Sequence, residues 1–379
     1  MNARTPHHHP ALRRARTAAA AAAAALSLAA CGVVDGIAGA DGSEEPSKGD
    51  DVTVGLLLPD RATARFERFD HPLIKKEVAS LTHGKGKVVY ANAASSTEKQ
   101  SRQFRKLIED RVDVILVDAV DAKAIGPDVR RAKEAGIPVI AYDRLAEGPV
   151  DAYVSHDNEL VGEVQARALV QRLGSKALTS KVVMMHGDPA DPNTARFKRG
   201  AVTELKGDVN IVKEYDTRKW SPEVAKANMR KAIAAVGVNG IAAVYSANDG
   251  MAGAAIDALK EAGVGQVPPV TGQDANLDAI QRIVAGEQYM TVYKPFELEA
   301  TTAARMAVYK VQGRGVAFDA LAQDVVDSPT REDIPAALLT VVAVTRKNIE
   351  ATVVRDGVYT VDQICTPEYA ADCAAIGLG

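Results

Sequence analysis

The chain has 379 residues, 47% of them hydrophobic but only 4% aromatic, and 25% charged. It carries 46 Lys and Arg against 49 Asp and Glu, a net charge of −3, and its first thirty residues hold Arg4, Arg13, Arg14 and Arg16 with no acid, so the remainder is distinctly acidic. An acidic body argues against nucleic acid as a partner, and no helix-turn-helix pattern precedes the first strand.

Residues 1–30 place those arginines before an alanine-rich apolar run that ends in Leu28-Ala29-Ala30-Cys31. Positive charge, a short apolar stretch and small residues before a cysteine make an export signal rather than a membrane span, which needs about 20 strongly apolar residues. The box resembles a bacterial lipoprotein signal. That resemblance implies cleavage before Cys31, lipid on Cys31, and a protein held on the outer face of the cell membrane. Residues 31–50, rich in Gly, Ser, Asp and Glu, read as a flexible linker. His7-His8-His9 falls in the part to be removed, so no metal is expected there. Of the remaining cysteines, Cys365 and Cys373 lie close together in an exported chain and are expected to pair as a disulfide that pins the chain end.

Past the linker, short β-branched runs alternate with longer amphipathic stretches. Strands are expected at 52–58, 87–90, 112–117 and 137–142, with helices at 73–81, 96–110 and 124–135. The rhythm restarts after Asp151: helices at 159–172, 194–205, 222–236, 251–262 and 277–285 alternate with strands at 181–185, 210–215, 241–246, 269–271 and 289–293. Two βα series imply an α/β protein of two Rossmann-like lobes. The strand ends then carry the polar side chains: Asp60 and Arg65, Asp118, Asp143 with Arg144, Asp157 with Asn158, His186 with Asp188, Asn248 with Asp249, Gln273 with Asp274, and Lys294. Parallel sheets bind ligands at the carboxyl ends of their strands, so two facing lobes would line a cleft with these groups. Paired donors and acceptors suit a polyhydroxylated ligand, and an aromatic plate suits the apolar face of a sugar ring.

Several blocks go further. Gly55-Leu-Leu-Leu-Pro59, Ala64-Arg65-Phe66, Ala141-Tyr-Asp143-Arg144, Tyr153-Val-Ser-His-Asp157-Asn158, Trp220-Ser-Pro-Glu223, Ser246-Ala-Asn248-Asp249, Gly272-Gln-Asp274-Ala275 and Met290-Thr-Val-Tyr-Lys294-Pro295 occur in this order. Together they resemble the sugar-binding proteins of bacterial ABC importers, above all the D-xylose binders, over about residues 52–350. The resemblance implies a periplasmic binding protein type I fold, with lobe one at 51–154 and 292–322, lobe two at 155–291 and 323–350, a three-stranded hinge, and a C-terminal segment at 351–379. It implies a sugar pocket in which Arg65, Asp143, Arg144, Asn158, Asn248, Asp274 and Lys294 make polar contacts while Phe66 and Trp220 stack on opposite faces of the ring. The partners implied are a monosaccharide, an ABC permease and its ATPase, and the membrane through the N-terminal lipid, with the protein acting as a monomer and without a cofactor. Phe66 stands where relatives use tryptophan and His156 where they use phenylalanine, the latter expected as a solvated neighbour at the rim; both bear on the choice of sugar. D-xylose is the first expectation, a broader aldose binder or a sensor presenting its sugar to a membrane receptor the alternatives.

Each pocket residue also has a plainer role open to it. Asp143 could hold a turn, Asn158 could begin the helix at 159, Asn248 could cap the helix at 251, and Arg65 could belong to a solvated basic run with Arg61 and Arg68. Catalysis is not expected. No Gly-x-Gly-x-x-Gly follows the first strand, and no phosphate loop, His-Glu-x-x-His or Gly-x-Ser-x-Gly occurs.

Overall fold

The computed structural model describes residues 48–379 apart from positions 62 and 64. Cys31, the signal-like start and most of the linker lie outside the described residues. Five strands, β1 Thr53–Leu58, β2 Lys87–Asn92, β3 Val114–Val117, β4 Val139–Tyr142 and β5 Ala152–His156, form a parallel sheet in the order β5-β4-β3-β1-β2. The runs Val-Ile-Leu-Val of β3 and Val-Ile-Ala-Tyr of β4 are buried throughout, as strands covered on both faces must be. Helix α1 (His71–Leu81) and the last long helix, Phe296–Val311, cover one face, where Ala300, Ala303, Ala304 and Ala307 pack closely on Val54, Leu56 and Leu116. Helices α2 (Thr97–Glu109) and α3 (Gly126–Glu134) cover the other through Phe104, Leu107, Val129 and Ala132.

The second sheet, β6 Lys181–His186, β7 Asn210–Asp216 and β8 Ala243–Ser246, is also parallel, in the order β7-β6-β8. The strand expected at 269–271 is reduced to a single bridge, Val270 to Val244. Helices α4 (Asn158–Leu173) and α5 (Pro192–Leu205) lie on one face, α6 (Pro222–Val236) and α7 (Asp249–Glu261) on the other. These are two Rossmann-like lobes, as the two βα series imply.

Three chain passages join them. The first leaves β5 at His156 and enters α4 at Asn158, slightly later than the boundary between 154 and 155 expected from sequence. The second runs from β9 (Thr291–Tyr293) into α9 (Phe296–Val311), with α8 (Leu277–Ala285) before it. The third follows the hairpin β10 (Asp324–Ser328) and β11 (Arg331–Leu339) and ends in β12 (Val342–Val344), which pairs antiparallel with β9. That hairpin corrects the expectation that 323–350 belongs to lobe two. β11 pairs parallel with β5, Ala336 opposite Tyr153, and its Ile334 and Ala336 complete the first-lobe core with Ile115 and Val139. Burial of that apolar face fixes residues 324–339 on the first sheet.

The C-terminal segment folds back on α8. Ile364, Cys373 and Leu378 pack with Ile280 and Ile283, and Cys365 is disulfide-bonded to Cys373. Among the described residues no helix is long and apolar enough to cross a membrane.

Candidate functional site

The loops at the carboxyl ends of both sheets face one another, and eight of the nine expected pocket residues meet there. Arg65, Phe66, Asp143, Arg144, Trp220, Asn248, Asp274 and Lys294 line a single narrow pocket of about 310 Å³, mouth included, together with Thr63, Asp191, Asn193, Phe197 and Gln273.

Arg65 starts the wide helical turn Phe66–Asp70 and is 1% exposed. Its guanidinium lies 2.8 Å from Asp70 and 3.1 Å from Asp143, and also pairs with Glu299 of α9. Burial works against its charge, but Asp70, Glu299 and Asp143 outweigh it and hold the pKa above the ordinary arginine value. This excludes the solvated basic run. Burial in turn raises the Asp70 carboxyl to about 7 against the pull of Arg65.

Asp143 follows β4 with φ +56°, a left-handed conformation that is strained for a residue with a Cβ. Its side chain lies between Arg65 and Lys294 Nζ, which is 4.0 Å away, so it does more than hold a turn. Lys294, at the second passage, pairs with Asp274 at 2.8 Å, and burial of the ammonium is outweighed by Asp274 and Asp143, which raise its pKa. Asp274 is also left-handed, with φ +91°. Arg144 lies 3.2 Å from Asp60, 3.5 Å from Asp118 and 2.7 Å from Asp191. Asn248 caps α7, accepting from the Met251 N–H at 2.9 Å, and still lines the pocket, so both of its possible roles are realised.

Trp220 ends a turn after β7, with φ +53°, and its ring rests on Gly187, where a Cβ would come within 2.1 Å of it. Only glycine leaves that seat free. Phe66, on the first lobe, lies under the Arg65 guanidinium at 5.5 Å. The two aromatic side chains therefore reach the pocket from different lobes.

Asn158 is the exception. It is the first residue of α4, with Asp157 as the cap, and its amide donates to Asn193 Oδ1 at 2.9 Å and Ser155 Oγ at 3.1 Å. It supports Asn193, which lines the pocket and donates across the cleft to the Asp143 carbonyl at 3.0 Å and carboxylate at 3.1 Å. Asp191, Asn193 and Phe197 were missed by the sequence reading. Asp191 and Asn193 follow β6 at the same carboxyl-end position as the other pocket residues, a signal the Asp188 of that loop already carried. His156 is also corrected: it is 1% exposed rather than solvated, 3.3 Å from Glu299, and burial lowers its pKa.

Several buried polar atoms of the pocket have no hydrogen-bond partner among the described residues: Arg65 Nη1, Arg144 Nε, Gln273 Oε1 and Asp274 Oδ1. Arg65 Nη1, Arg144 Nε and Asp274 Oδ1 have an opposite charge close by but not aligned for a hydrogen bond. Unsatisfied donors and acceptors facing one small space are what a polar, uncharged ligand would satisfy. Among the described residues no group of three His, Cys, Asp or Glu side chains is arranged to hold a metal ion.

Residues 54–315 match the family described as periplasmic binding protein domain. The chain belongs to the periplasmic binding proteins. Family membership makes it a solute receptor rather than an enzyme. It is 36% identical over 313 residues, 81% of this chain and 91% of the relative, to the D-xylose-binding periplasmic protein of Escherichia coli. It is 30% identical over 336 residues, 82% and 92% of the two chains, to a multiple sugar-binding periplasmic receptor of Rhizobium radiobacter. A solved ABC transporter solute-binding protein of Clostridium phytofermentans with bound β-D-glucose superposes with a TM-score of 0.75 at 26% identity, covering 82% of this chain and 99% of that one.

Proposed function

We propose that this protein captures a monosaccharide, D-xylose first, between its two lobes and delivers it to the permease and ATPase of an ABC importer. The observation that carries this reading is the meeting of charged and amide side chains from both lobes and the second passage, with an aromatic ring from each lobe, around one pocket. Ring hydroxyls would accept from Arg65, Arg144, Asn193, Asn248 and Lys294 and donate to Asp143 and Asp274, while Phe66 and Trp220 stack on the C–H faces. Charged-to-neutral hydrogen bonds of about 1.5–3 kcal/mol each can sustain sub-micromolar affinity after ordering costs. The moving units are 51–156 with 294–340 and 157–293 with 341–379, because sheet pairing divides there, while Phe69 and Phe296 of the first unit pack on the C-terminal segment of the second.

The choice of D-xylose rests on the Escherichia coli relative, and the glucose held by the Clostridium protein favours a broader aldose binder as the second reading. Titration calorimetry across D-xylose, L-arabinose, D-glucose, D-galactose, D-ribose and myo-inositol separates them. D-xylose is expected to bind tightest. Xylose and glucose affinities within about threefold of each other favour the broader reading, and no binding below about 100 µM by any of the six refutes the sugar assignment. Anchoring through Cys31 to the outer face of the cell membrane, and action as a monomer, complete the proposal. Incorporation of labelled fatty acid into the wild type but not Cys31→Ser is the expected outcome, and equal labelling of both removes the anchor.

A further inference from the structure

The pocket is not the only space in the cleft. A second cavity of about 810 Å³, mouth included, lies outside it, lined by Asp60, Ser96, Glu98 and Asp121 of the first lobe and Asp188 and Lys219 of the second, among others. Among the described residues only Arg144 and Trp220 line both spaces. They are the partition between them, and they come from opposite lobes.

One carboxylate oxygen joins the two halves. Asp191 Oδ2 lies 2.7 Å from Arg144 Nε and accepts the indole N–H of Trp220 at 3.2 Å. Each half is also held from behind. Arg144 is fixed by Asp60, Asp118 and the carbonyl of Ala119, which accepts from its Nη1 at 3.2 Å. Trp220 is fixed by Gly187 beneath the ring and by Phe197, whose ring meets it edge-on at 6.2 Å between centroids. The left-handed turn that presents it is tied by the Lys219 N–H, which donates to Asp188 at 2.7 Å. Asp191 itself is 4% exposed and its other oxygen accepts the Asn193 N–H at 2.8 Å. With the lobes together, this carboxylate holds the two halves against each other.

We propose that Asp191 determines ligand length: by joining Arg144 to Trp220 it closes a partition that admits one sugar ring and shuts out a glycosidically linked second ring. The inference rests on the sugar-receptor reading of the pocket. Without the carboxylate the indole loses its acceptor, Arg144 relaxes onto Asp60 and Asp118, and the inner space opens into the outer one. The hydroxyl and carboxylate groups lining the outer cavity are of the kind that bind sugar hydroxyls, so a second ring would find partners there.

Calorimetry of full-length wild type, Asp191→Ala and Asp191→Asn with D-xylose, D-glucose, xylobiose and cellobiose tests this. Wild type should prefer the better monosaccharide over its β-1,4 disaccharide by at least about 100-fold, and Asp191→Ala should narrow that ratio by at least about tenfold. Asp191→Asn keeps one acceptor oxygen, enough for the indole or the Asn193 N–H but not both, and loses the attraction for Arg144, so it should fall between the two. Fluorescence anisotropy of the ligand-free proteins supplies a reading that general weakening would not move, because Trp220 is the single tryptophan and without ligand reports on the partition. It should fall in Asp191→Ala. An equal loss of affinity for one-ring and two-ring ligands overturns the proposal, as does a wild type that binds the disaccharide as well as the monosaccharide. If Asp191→Ala does not fold, a wild-type ratio in Asp191→Asn overturns it alone. A wild type that binds none of the four sugars refutes the receptor reading instead, so the two failures are distinguishable.

Discussion

On the first-lobe side of the cleft, Arg65 and Arg144 are buried among carboxylates of their own lobe, Asp70 and Glu299 around one, Asp60 and Asp118 around the other. On the second-lobe side the wall is mainly neutral, Asn193, Asn248 and Trp220 held by an amide chain, a helix cap and a glycine seat, and its carboxylates Asp191 and Asp274 pair outside their own sheet, with Arg144 and Lys294. The difference separates receiving from closing. Charges paired within one lobe keep their orientation when the other lobe swings away, so the first wall is ready before a ligand arrives. The neutral wall gains its last contacts, Asn193 to Asp143 and Asp191 to Arg144, only when the lobes meet. Docking on the charged wall followed by closure of the neutral one is the order this contrast favours.

The contrast is broken most severely by Arg65→Ala. Removing the guanidinium strands Asp70 and Glu299, both fully buried, without a cation, and a broken buried ion network costs about 3–5 kcal/mol of stability. Denaturant unfolding should show that loss together with the loss of sugar binding. A variant within about 1 kcal/mol of wild type in stability would mean the first wall is not the fixed one. On the other wall Trp220→Ala should reverse the balance, with affinity falling by about 2–4 kcal/mol while stability changes far less than in Arg65→Ala. Calorimetry that finds wild-type affinity in Trp220→Ala would show the pocket to be misplaced.

A finer test lies within the neutral wall. Asn193→Ala removes the amide that bridges to Asp143 and should cost about 1–2 kcal/mol of binding. Asn158→Ala acts only through Asn193 and should cost less than half as much. A larger loss in Asn158→Ala than in Asn193→Ala would return Asn158 to the place the sequence reading assigned it.

That exchange of one asparagine for another shows what could be read from the chain. Strand ends were legible because β1, β3 and β4 are unbroken apolar runs and the polar residues that follow them stand out, which placed Asp143, Arg144, Asn248, Asp274 and Lys294 in one cleft. Asn158 satisfied the same pattern, yet whether a residue one step past a strand faces the ligand or its neighbour depends on where the next helix begins, and α4 begins at Asn158 itself. The hairpin 324–339 was misplaced for a related reason: its alternating apolar residues demand a sheet to pair with, but nothing local says which of two sheets offers a free edge. His156 was misread because burial by Glu299 comes from a helix more than a hundred residues away.

His156 also supplies the smallest and most specific test, behind the charged wall. Its ring faces Glu299 of α9, Lys294 of the second passage and Arg65 of the first-lobe turn; burial lowers its pKa below 6.5, and the attraction of Glu299 does not restore it. The unfolded chain therefore takes up a proton on this histidine at a pH where the native protein resists it, and the contribution of this histidine to stability falls as pH drops from about 7 toward 5. The limit is about 1.4 kcal/mol for each pH unit over which only the unfolded form is protonated. His156→Phe removes that proton and should flatten the slope, with Lys294 and Arg65 left facing Glu299. His186 is lowered by burial too, against its Glu214 partner, but it is present in both proteins, so the difference between them isolates His156. Unfolding free energies at pH 7.5 and 5.0 should converge or cross in favour of the variant at the lower pH. Parallel curves would mean that Glu299 offsets the burial and lets the imidazole take up its proton as in the unfolded chain, so that the ionic network of the first wall extends one residue further than its pairs within the lobe.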